Sequence, residues 1–225
     1  MRVLKILLIL LFLGCETLLE QTSPLEGKFY IEDGWIAFET KNYDSADKHF
    51  STAINQNEND SLILFQSNIG LGWTNLYKGR EISETNPQGF VHSSGMNFGA
   101  AEELMNAIEM DVDPKMVPEF TLNKIDMYAG ISFQKAHLAR QLSLNGNNWE
   151  STNSGLGDSI ISLIQESTIY CQNLPEDFIF QHDSTLVYHD IVLLRVENYI
   201  LLGEISNAVI EYNQMDKNYC PNNRS

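Results

Sequence analysis

The residues of this chain best able to do chemistry are five histidines, three cysteines and several neighbouring carboxylates. Two His-Asp pairs, His182-Asp183 and His189-Asp190, lie seven residues apart. On one continuous helix that spacing is two turns, so both imidazoles would share a face and could serve a metal or an acid–base step. The span holds no third ligand at helical spacing, and Asp183-Ser184 reads as a helix cap. These histidines are therefore assigned to the surface. Gly70-Leu71-Gly72 contains a GxG, but a dinucleotide fingerprint needs a third glycine and a strand before it. Gly72 is better used for helix packing. Ser93-Ser94-Gly95 and Ser154-Gly155 lack the GxSxG elbow. Glu102-Glu103 falls on a solvated helix face without the convergence that paired-carboxylate catalysis needs. The reading is that of a non-enzyme with no metal and no cofactor.

One cysteine has a different chemistry. Arg2 and Lys5 precede an unbroken apolar run from Ile6 to Leu13, which ends in Gly14-Cys15. As a helix the run spans roughly 12 Å, less than half a bilayer core, so it reads as a targeting segment. It resembles the lipobox of bacterial lipoproteins, with Phe12 a departure from the usual small or aliphatic residue. The resemblance implies cleavage after residue 14 and lipidation at Cys15, with residues 15–27 as a tether. It also implies an envelope location. In a bacterium with two membranes the outer membrane is the expected destination; Glu16 occupies the position after the cysteine, which influences sorting between inner and outer membrane in some bacteria. Cys171 and Cys220 remain as an even pair in an exported chain. Either they join, closing a loop of about 50 residues worth about 4 kcal/mol in the chain-entropy account, or both stay unpaired.

Loss of residues 1–14 removes two of the 14 Lys and Arg and none of the 30 Asp and Glu, so the remainder has a formal charge of −18. Such a surface repels nucleic acid and anionic lipid headgroups, and it tolerates a basic protein partner.

From about residue 28 to 225 the chain reads as four helix pairs. In the first, Tyr30, Gly34 and Ala37 share a face, Asn42-Tyr43-Asp44 is a turn, and Ala46, Phe50, Ala53 and Ile54 mark the second helix. In the second, Leu71-Gly72 and the turn residue Gly79 lead to Ala100, Leu104 and Ala107. The third pairs Ala129, Gly130 and Phe133 with Ile160, Ile164 and Ser167. The fourth carries Tyr199, Gly203, Ala208 and Tyr212, with Arg195 and Val196 off the pattern. The spacing resembles the tetratricopeptide (TPR) repeat. That resemblance implies an all-α fold, a short right-handed α-solenoid of TPR-like helix-turn-helix pairs, and a protein-interaction role.

Two inserts, near 81–98 and 143–157, interrupt the second and third pairs. They occupy equivalent turns, so both should emerge from one edge. Phe90, His92, Phe98 and Trp149 are the candidate binding surface there, since aromatics on loops supply contact energy at small entropic cost. The expected function is a lipid-anchored, non-catalytic scaffold for a protein partner in the envelope. The alternative is a solute- or glycan-binding lipoprotein that uses the aromatic inserts.

Overall fold

In the computed structural model the described residues are 24–82, 87–109, 113, 115–144 and 154–219. Among them the protein is all-α, with one isolated β-bridge between Ile179 and Val187. The helices are α1 (Pro24–Glu39), α2 (Tyr43–Gln56), α3 (Ser61–Tyr77), α4 (Pro87–Glu109), α5 (Val117–Leu144), α6 (Ser154–Gln172), α7 (Tyr188–Leu201) and α8 (Ile205–Tyr219). A π-turn, Lys78–Ile82, prolongs α3. None of the described helices is long and apolar enough to cross a membrane. Cys15, Trp149 and Cys220 lie outside the described residues.

Each helix packs on its successor; α1 also packs on α3, α3 on α5 and α5 on α7. Helix boundaries follow local chemistry. Asn42 accepts from Ser45 N to start α2, and Asp60 accepts from Leu62 N and Ile63 N to start α3. Each such cap satisfies amides that have no partner within the helix. Lys41, at φ 61°, closes α1 in the left-handed region, with Asn42 N donating to Ala37 O. Gly203, at φ 74°, makes the α7–α8 turn, the position its type predicts.

The first pair has the predicted register: Ala46, Phe50 and Ala53 are fully buried. A Cβ placed on Gly34 or on Gly70 would lie 2.6 or 2.4 Å from the Phe50 ring, so both glycines let a helix backbone reach that ring. Phe98 repeats the arrangement one pair later. A Cβ on Gly72 or Gly130 would meet it at 2.6 or 2.2 Å. The GxG of α3 is thus a two-sided seat, one glycine for the ring before it and one for the ring after it.

The structure corrects several expectations. Helix α1 begins at Pro24, inside the expected tether. The chain does not turn at Gly79, which lies in the π-turn. The segment 87–98 is helical, and α4 buries Phe98, Ala101, Met105 and Ile108 in place of Ala100, Leu104 and Ala107. The residues equivalent to Ala46, Phe50 and Ala53 are Ser167 and Cys171 of α6 and Leu174 just beyond its end. Ser167 Oγ donates to Ser132 O at 2.8 Å, as Ser94 Oγ donates to Gly72 O at 2.8 Å. Ile160 and Ile164 instead form a small separate core with Ala139.

Candidate functional site

The segment between α6 and α7 folds back as a hairpin over the ends of α1 and α3. Its pattern is two-residue: Phe178 and Phe180 are buried while Ile179 is exposed. Phe180 N donates to Leu186 O, and Tyr188 N to Phe178 O, both at 2.9 Å. Asp183 closes the tip, accepting from Thr185 N at 3.0 Å and Thr185 Oγ1 at 2.6 Å. Val187 N then donates to Asp190 Oδ2, which starts α7.

The hairpin fills an aromatic trough. Phe180 stacks on Trp73 with centroids 4.2 Å apart and meets Trp35 and Phe38 edge-on. His182 lies flat on Trp35 at 3.6 Å, and its Nδ1 is 3.0 Å from Glu39 Oε1. Tyr77 Oη donates to Asp183 Oδ2 at 2.8 Å, and Gln181 Nε2 donates to Asp126 Oδ2 at 2.7 Å. Trp73 Nε1 donates to Asp126 O at 3.1 Å. The hairpin therefore ties the third helix pair to the first and second.

Beside it lies a cleft of about 440 Å³, lined by Glu39, Lys41, Tyr43, Tyr77, His182 and Asp183 among others. Burial lowers the His182 pKa, against the opposing pull of Glu39, and so favours the neutral imidazole. Burial alone would raise Asp183, yet its bonds from Thr185 and Tyr77 and the Lys41 charge hold it below the usual carboxylate range. Tyr77 is raised by burial and by its bond to Asp183, which keeps the phenol a donor. Asp126 is pushed up to about 7 by burial, despite the opposing bonds from Gln181. The imidazole, phenol and carboxylates are thus all engaged in holding the hairpin. The arrangement suits a polar group offered to the rim, with the aromatic floor already covered.

His182 and His189 do not share a helix face. His182 is in the hairpin and largely buried, and Asp183 closes the hairpin tip instead of capping a helix. The expected aromatic surface is also revised. Phe98 belongs to the core at 1% exposure. Phe90 is half-buried in the first turn of α4, with Lys78 Nζ 5.0 Å above its ring. His92 is exposed on α4. Cys171 is fully buried, and burial pushes its thiol up to about 11, which makes it a poor nucleophile.

No family model matches the chain, nor does any curated protein or solved structure. Among the described residues no three His, Cys, Asp or Glu side chains converge to hold a metal ion. The hairpin was legible in the Phe178-x-Phe180 alternation before Asp183-Ser184-Thr185. The His-Asp pairing drew the reading toward a helix instead.

Proposed function

We propose that this chain is a bacterial lipoprotein, anchored through Cys15, whose domain is a short right-handed α-solenoid of TPR-like pairs. It acts as a non-catalytic scaffold for a protein partner in the cell envelope, with the outer membrane as its destination. The observation that carries the reading is the recurrent joint. A ring from one second helix seats on glycines of two successive first helices, at Phe50 and again at Phe98. One helix pair cannot bury both sides of such a ring, so the joint requires stacked neighbours. The apolar run ending in Gly14-Cys15 supports the anchor. The alternative, a glycan-binding lipoprotein built on Phe90, Phe98 and Trp149, loses Phe98 to the core.

Cys15→Ser should move the protein from the membrane to the soluble fraction, because acyl burial contributes about 0.8 kcal/mol per CH₂. Full membrane retention of that variant would refute the anchor. Reproducible co-purification of one defined protein would support the scaffold reading, and tight oligosaccharide binding by the domain would replace it.

A further inference from the structure

Among the described residues, helix-to-helix packing stays local. Each helix meets its successor, and α1–α3, α3–α5 and α5–α7 join first helices of adjacent pairs. In a stack held this way each pair answers to its neighbours, so one end can open while the rest stays folded. Packing of this kind couples α1 to α7 only through the pairs between them.

The hairpin breaks that rule. Residues Phe178–Val187 belong to the connection between α6 and α7, yet they reach three first helices at once. On α1, His182 stacks on Trp35 at 3.6 Å, and its Nδ1 lies 3.0 Å from Glu39 Oε1 across 143 positions of chain. On α3, Phe180 stacks on Trp73 at 4.2 Å, and Asp183 accepts from Tyr77 Oη at 2.8 Å across 106 positions. On α5, Asp126 accepts from Gln181 Nε2 at 2.7 Å across 55 positions. The contact with α1 passes over the whole second pair. The backbone–backbone bonds of the hairpin stay within residues 175–190, so its hold on these helices lies in rings and in bonds to side chains. It also closes what it covers: Trp35 and Trp73 are 8% and 0% exposed with the hairpin in place.

We propose that the hairpin is a strap that makes the stack one cooperative body. With the strap closed, α1–α4 and α5–α8 unfold together; with it loosened, they unfold separately. The reason is the cost of half-open states. Unfolding of α6 and α7 alone strips the strap from the N-terminal pairs and bares their aromatic face to water. Unfolding of α1 and α3 alone bares the Phe180 ring, which is fully buried in the closed state. Either state therefore loses apolar burial beyond that of its own pairs, and a two-state transition results. The inference rests on the stacked-pair reading above.

The test uses the full chain in detergent, carrying Trp149→Phe so that indole emission comes from Trp35 and Trp73 alone. Urea unfolding is followed by that emission, which reports α1 and α3, and by circular dichroism, which reports every helix. With the strap intact the two midpoints should coincide. Ala46→Leu in α2 should lower both together and leave the slopes unchanged. Tyr77→Phe, Gln181→Ala and His182→Ala combined remove the three polar ties and keep the Phe180 ring. In that variant the midpoints should separate and the emission slope should fall to roughly half, because the slope follows the surface exposed in each step. Adding Phe180→Ala should widen the gap. Coincident midpoints with full slopes in both variants would overturn the proposal, as would separated midpoints in the chain with its strap intact. Should the variants fail to fold, native-state hydrogen exchange of the unsubstituted chain decides: the slowest amides of α3 and α7 should share one opening free energy, and unequal values would overturn the strap. Failure of the stacked-pair reading shows separately: Gly72→Leu would then leave thermal stability unchanged, whatever the midpoints do.

Discussion

The two halves of the molecule solve one packing problem with different chemistry. Between α1 and α5 the joints are aromatic rings on glycine. Between α5 and α7 the ring is replaced by the small thiol of Cys171, and polar bonds surround it. Ser167 Oγ donates to Ser132 O and accepts from Asn198 Nδ2 at 2.9 Å, while Arg195 pairs with Glu211 at 2.6 Å. Buried side-chain atoms without a hydrogen-bond partner among the described residues occur in both halves, Ser67 Oγ and Thr74 Oγ1 in α3 and Asn198 Oδ1 and Arg195 Nε in α7. The first half gains its stability from apolar burial and shape. The second adds directional bonds at the joint itself. The hairpin links the halves: it takes the Phe180 ring from the second half onto Trp35, Phe38 and Trp73 of the first.

The comparison breaks most sharply at the ring itself. Phe98→Ala empties a joint shared by α3, α4 and α5 and should cost about 3–5 kcal/mol. Cys171→Ala removes one sulfur from the equivalent place and should cost far less. Chemical denaturation of the two variants measures the difference. Equal losses would mean that the joints are not equivalent.

The seats come next. Gly72→Leu would drive a side chain into the Phe98 ring, and Ala46→Leu would overpack a site with no exposure; each should cost roughly 1–3 kcal/mol. Lys48→Leu, on the exposed face of α2, should be nearly neutral. Thermal melts that shift equally at all three sites would show that the register is wrong.

How much of this was legible in the residues follows the same division. The first pair was readable because Gly34, Ala46, Phe50 and Ala53 combine a helical period with an unusual size pattern. Gly72 was correctly taken as a packing residue. The α4 register slipped because Pro87, Gly89, Ser93, Ser94 and Gly95 read as loop composition. Three of them have a helical use that composition hides: Pro87 opens the helix, Ser94 bonds to Gly72 O, and Gly95 admits Gln134. In α6 the expected residues Ile160, Ile164 and Ser167 are all buried, but the expected register set them one step early: Ser167 stands where Ala46 does and Cys171 where Phe50 does. Burial of His182 was not legible, since it depends on Trp35, a residue 147 positions away in the chain.

The hairpin latch should carry a pH signature. Asp126 has a folded pKa near 7, above its unfolded value, so the folded state holds a proton that the unfolded state releases between those pKa values. Stability from this group is therefore fully present at low pH and declines as pH rises toward 7, by at most about 1.4 kcal/mol per unit. His182 acts in the opposite sense. Its lowered folded pKa means that stability is lost as pH falls below the unfolded value. Asp126→Asn should remove the decline between pH 5 and about 7 and leave the acid-side loss from His182, as read from urea midpoints across that range. An unchanged profile would remove Asp126 from the latch.

The smallest effect is also the most discriminating between the halves. Ser94 and Ser167 make the same bond, each donating to a helical carbonyl of the preceding first helix. Ser94→Ala deletes that bond alone and should cost about 1 kcal/mol. Ser167→Ala also leaves Asn198 Nδ2 buried and unpaired, so it should cost about 1 kcal/mol more. Adding Asn198→Leu to Ser167→Ala should recover part of that excess, because an apolar pair of similar size leaves no orphaned donor. Equal costs for the two serines, with no recovery in the double variant, would mean that the third joint does not depend on its polar network.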